Sequence, residues 1–104
     1  MKRLKVHVSP GVTEQIQEQV FYIAQDSTDN ALAWEDRLLA ALESLGDFHG
    51  HAIDEQAVDR LGGIIHKMVF EKTYLIHYEV NQTAGIVEIM NFRHGARRPR
   101  VGEP

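Results

Sequence analysis

With 104 residues and a net charge of −4, the chain is sized for one hydrophobic core. Apolar residues at 43% and charged residues at 25% exclude a disordered chain, and the lack of cysteine excludes a disulfide framework or a thiolate metal site. No run approaches the roughly 18 apolar residues of a membrane span, and the N-terminal MKRLKVHVS lacks a signal-peptide pattern, so a cytoplasmic protein is expected.

LKVHV (4–8) alternates apolar and polar positions and predicts a short strand, stopped by Ser9-Pro10-Gly11. Val12, Ile16, Val20 and Ile23 then recur at helical intervals, which predicts a first helix over 13–26 with Thr13 as N-cap and Glu14 in its first turn. Asp26-Ser27-Thr28-Asp29-Asn30 breaks it. Ala31, Trp34, Leu38, Leu42 and Leu45 form the stripe of a second helix ending at Gly46. Two antiparallel helices of this kind would bury their stripes against a common surface. Residues 46–63 are glycine-marked and weakly periodic, with room for one helical turn at 54–61.

After Gly63 the period becomes two. IIHKMVFE (64–71), TYLIHYEV (73–80) and GIVEIMNFRH (85–94) predict three strands. Their connections are too short for helical crossovers, so neighbours pair antiparallel. The expected order is β-α-α-β-β-β, an α+β domain with two helices on one sheet face. Tyr74, Ile76, Tyr78 and Val80 share the face expected to meet the helices. A two-residue turn at Glu71-Lys72 would set Val69 opposite Tyr74 and His66 opposite His77, exposing His66, Met68, Leu75, His77 and Glu79 on the other face. A slip of one residue reverses that assignment.

Charge is segregated along the chain. Glu14 to Asp59 holds eleven carboxylates and one basic residue, Arg37, whereas the remaining segments carry ten basic and four acidic residues. The basic part peaks in NFRHGARRPR (91–100), where Arg93, His94, Arg97, Arg98 and Arg100 cluster as a strand leaves the sheet. Guanidinium forks match phosphate geometry and an imidazole exchanges protons near neutrality, so the cluster suits a phosphodiester or an acidic partner chain. A frayed basic tail with weak polyanion affinity is the bland alternative. His66 and His77 offer proton transfer or anion binding against a plain solvated role. His49, His51, Asp47, Asp54 and Glu55 raise a metal site, but no third ligand follows a recognisable spacing, and neither metal nor cofactor is expected.

The run TYLIHYEVNQTAGIVEIMNFRHGARRP (73–99), with its Tyr-x-Ile-x-Tyr core pattern and closing His-Gly-Ala-Arg, resembles the last strands of the RelE/ParE family, toxins of bacterial type II toxin–antitoxin systems also described as plasmid stabilisation proteins. The upstream strand and two helices, with Tyr22-Ile23-Ala24 and the Trp34-to-Leu45 stripe, extend the similarity over 4–98. The resemblance implies one compact β-α-α-β-β-β domain over 1–104, with 99–104 a flexible tail. It implies a cognate antitoxin bound in a hetero-oligomer, and no membrane. Family members divide into gyrase inhibitors resembling ParE, ribosome-dependent messenger RNA endonucleases resembling RelE, and homologues that bind antitoxin without toxicity. For a nuclease the matching residues are Lys67, Arg93 and His94, with Lys72 less certain. The terminal aromatic frequent in that branch is missing, since GARRPRVGEP follows His94. Glu71, Glu79 and Glu88 on the strands would also repel a scissile phosphate. The His-Gly-Ala-Arg ending favours the gyrase branch. His66, His77, Arg93, Arg97 and Arg98 are then the expected contacts to target or antitoxin.

Overall fold

Ser9-Pro10-Gly11 stops the first strand, as expected, but it also starts the first helix. In the computed structural model, which describes residues 3–55 and 64–95, β1 (Lys5–Val8) is followed directly by α1 (Pro10–Ala24), with Ser9 rather than Thr13 at the N-cap. Proline at the first helical position loses no hydrogen bond, because that N–H would be unpaired in any case. The Ser9 side chain donates instead to the Ile89 carbonyl at 3.1 Å and ties the helix start to the sheet. α2 (Thr28–Glu43) begins earlier than its apolar stripe. Ser27 caps it by accepting from the Asn30 N–H at 3.1 Å, and Asp29 sits in the first turn, where a carboxylate suits the helix dipole. A 3₁₀ turn (Ser44–Gly46) ends the helical part.

β2 (His66–Phe70), β3 (Tyr74–Asn81) and β4 (Ile86–His94) follow. The four strands form one mixed sheet in the order β1-β4-β3-β2, with β1 parallel to β4 and the other pairs antiparallel. Ala52–Asp54 runs antiparallel along the start of β2: the Asp54 N–H donates to the Ile65 carbonyl at 2.7 Å and the Lys67 N–H to Ala52 at 2.8 Å. Among the described residues no helix is long and apolar enough to cross a membrane.

The helices pack on one face of the sheet. Val12 and Ile16 of α1 and Trp34, Leu38 and Leu42 of α2, with Leu45, meet Ile76 and Tyr78 of β3 and Val87, Ile89 and Phe92 of β4. Each such side chain, taken out of water, stabilises the fold by about 1.5–3 kcal/mol. Trp34 anchors the aromatic part of this core, 5.2 Å from Tyr74 and about edge-on to Phe70 and Phe92.

Two extra residues decide which side chains face away from the helices. The turn is tight at Glu71 and Lys72, both at positive φ, but Phe70 pairs with Tyr74, so Thr73 is an unpaired third residue. Register therefore moves by one from the two-residue expectation: His66 lies opposite Tyr78 and Lys67 opposite His77. His66 and Met68, expected on the outer face, belong to the helix-covered one, and Lys67 and Val69 replace them on the outer face. The second extra residue is Met90. A bulge between β3 and β4 pairs Tyr78 with Ile89 but His77 with Asn91, leaving Met90 unmatched. Beyond it the alternation of β4 inverts, so that Phe92 and His94 face the helices while Asn91 and Arg93 face outward. The turn considered at 54–61 lies largely outside the described residues, and the tail at 99–104 wholly so.

Candidate functional site

The outer face of the sheet carries Lys67 on β2, His77 on β3, and Asn91 and Arg93 on β4, by register. Lys67 is exposed on the edge strand. Arg93 lies opposite Leu75, and its Nε is buried with no hydrogen-bond acceptor among the described residues. A buried donor without an acceptor is costly.

His77 sits between these cations and is almost wholly buried, at 7% exposure. Its Nε2 is 2.8 Å from Asp54 Oδ2, and its Nδ1 is 3.1 Å from the Asn91 amide nitrogen. A carboxylate only accepts, so Nε2 carries a proton, and the amide N–H donates to Nδ1. Both ring nitrogens are thereby occupied, and the ring fastens the 47–55 segment to the sheet rather than offering a site for a substrate proton.

Farther along the same face the charge changes sign. Glu79 pairs with Glu88, and Glu88 is held by His7, whose Nδ1 lies 2.7 Å from Oε2. The outer face thus has a basic end at Lys67 and Arg93 and an acidic end at Glu79 and Glu88.

The other sequence candidates lie elsewhere. His94 ends β4 on the helix-covered side, its ring edge-on to Tyr74 at 5.2 Å. His66 stacks on Tyr78 with ring centroids 5.1 Å apart and donates from Nδ1 to the His51 carbonyl at 2.7 Å. Neither faces the same way as Lys67 and Arg93. Arg97 and Arg98 lie outside the described residues. The side chains weighed for a metal go to separate partners: His49 to the Leu45 carbonyl, His51 to the Tyr78 hydroxyl, Asp47 to Arg3 and Asp54 to His77.

Sequence reasoning missed Asp54 and Asn91 as the residues that hold His77. Asn91 follows from alternation only once the bulge at Met90 is known. Asp54 stands 23 positions from His77, in a stretch without clear periodicity, and carries no local signal.

A family model described as ParE toxin of type II toxin–antitoxin system, parDE, matches residues 6–99. No match was found among curated proteins.

Proposed function

The chain belongs to the ParE toxin family of type II toxin–antitoxin systems, and from that membership we propose that it is a cytoplasmic toxin acting on DNA gyrase and neutralised by a cognate antitoxin. The observation that supports the gyrase branch is the division of Arg93 and His94 between opposite faces of β4. A nuclease of the kind considered from the sequence needs its proton-transfer group and its phosphate clamp at one scissile bond. Adjacent residues of a strand point apart, so Arg93 and His94 do not converge on such a bond. His77, on the same face as Arg93, has both ring nitrogens occupied. A basic patch flanked by acidic groups fits recognition of a protein surface better than phosphoryl chemistry. In this reading Lys67 and Arg93, together with Arg97 and Arg98 later in the sequence, bind the target or the antitoxin.

One observation favours a ribosome-dependent endonuclease instead: Lys67 and Arg93 share the outer face and could clamp a phosphate together. The two readings separate in vitro. Purified chain added to gyrase, plasmid DNA and ATP should block supercoiling in proportion to toxin, and added antitoxin should restore it. Unimpaired gyrase at saturating toxin, with cleavage of ribosome-bound messages, would select the nuclease. Inertness in both assays, with antitoxin binding retained, would select a non-toxic homologue.

A further inference from the structure

Away from the outer face, the 47–55 segment is pinned to the core side of the sheet by a cluster of four rings, Phe48, His51, His66 and Tyr78. Tyr78 is wholly buried, and its hydroxyl sits beneath this segment. The His51 backbone N–H donates to that hydroxyl at 3.1 Å, and His51 Nδ1 lies 2.8 Å from it. Burial raises the Tyr78 pKa, partly offset by the His51 backbone hydrogen bond, so the phenol keeps its proton. That proton is given to His51 Nδ1, which must therefore be unprotonated. His66 donates from Nδ1 to the His51 carbonyl at 2.7 Å, and Phe48 packs edge-on to the His51 ring at 5.0 Å. This set of hydrogen bonds holds only while His51 Nδ1 is unprotonated.

We propose that His51 is a pH-sensitive latch: neutral, it holds the 47–55 segment against Tyr78 and along the edge of β2, and protonation at Nδ1 releases it. A proton on Nδ1 turns the acceptor into a donor. The phenol must then accept from both the ring and the backbone N–H, and its own O–H is left pointing into the core without an acceptor. The groups facing His51 do not compensate. From β2 it meets His66, which adds positive charge when protonated, and from β3 only the phenol. Within its own segment Asp47 is engaged by Arg3 and Asp54 by His77, and His49 donates from Nδ1 to the Leu45 carbonyl. Burial first, and the neighbouring His66 second, lower the His51 pKa below the ordinary 6.5. The sign follows: the open form takes up a proton below about pH 6.5 that the latched form resists, so closure is complete above that pH and weakens as pH falls.

The test is amide hydrogen exchange by NMR on the full chain at pH 7.5 and 5.5, corrected for intrinsic rates. It reads the Asp54 N–H, bonded to Ile65, and the Lys67 N–H, bonded to Ala52. One linked proton titrating at 6.5 in the open form should lower their protection by up to about tenfold at pH 5.5. His51→Gln, whose amide oxygen can accept from the phenol but cannot titrate, should abolish the pH dependence. Should that variant not fold, Tyr78→Phe should show low protection at both pH values. Protection of wild type that does not change with pH, or an equal fall in His51→Gln, overturns the proposal.

Discussion

Replacing Asp54 by alanine should destabilise the fold without touching any target contact, because it strands the Nε2–H of a ring that is only 7% exposed. Asp54 is itself mostly buried, at 19% side-chain exposure, so solvent screens the 2.8 Å contact little. A hydrogen bond to a charged group contributes about 1.5–3 kcal/mol, and a buried donor left unmatched costs a similar amount. A loss of about 2 kcal/mol is expected, or a fall in Tm on the order of 8–16 °C for a domain of this size. Asp54→Asn keeps an oxygen at the same place and should lose no more than about 1 kcal/mol, the value of a neutral hydrogen bond. Urea titrations of wild type and both variants measure this directly, and gyrase inhibition should stay at wild-type level per folded molecule in both. If Asp54→Ala stays within about 0.5 kcal/mol of wild type while both variants lose activity, Asp54 and His77 act on a substrate, and their fastening role is wrong.

Three further outcomes follow from other parts of the fold. Lys72 sits at φ 60°, where a side chain strains the backbone; Lys72→Gly should raise stability by about 0.5–1 kcal/mol, relief of strain outweighing the added freedom of the unfolded chain, as read by Tm. A Cβ on Gly46 would lie 2.5 Å from the Leu4 carbonyl oxygen, so Gly46→Ala should cost about 1–3 kcal/mol by forcing the 3₁₀ turn away from β1, measured by denaturant unfolding. His94→Ala should leave toxicity within about twofold for a gyrase poison, whereas a proton-transfer role would cost roughly 10²–10⁴ in rate; growth and cleavage assays of induced cells distinguish the two.

The helical stripe at Ala31, Trp34, Leu38, Leu42 and Leu45 was legible because one apolar face at helical spacing has one way to be buried, and Tyr74, Ile76 and Tyr78 of β3 were legible as its counterpart by alternation. The faces of β2 and of the end of β4 were not. Each hangs on a single unpaired residue, Thr73 or Met90, and neither residue type marks itself as a bulge. His66 thus moved from the outer face to a stack on Tyr78, and Arg93 parted from His94. The start of α1 was hidden because Pro10-Gly11 reads as a stop after a strand and as a start before a helix. Parallel pairing of β1 with β4 joins strands about 80 residues apart in sequence, a tertiary outcome that local pattern does not encode.

The gyrase reading is tested most directly by the fate of DNA and message after a brief induced pulse of this chain in bacteria lacking its antitoxin. Gyrase-linked double-strand breaks accumulating while messages stay intact is the expected result, with co-expressed antitoxin suppressing the breaks. Codon-positioned cleavage of translated messages without such breaks would contradict it.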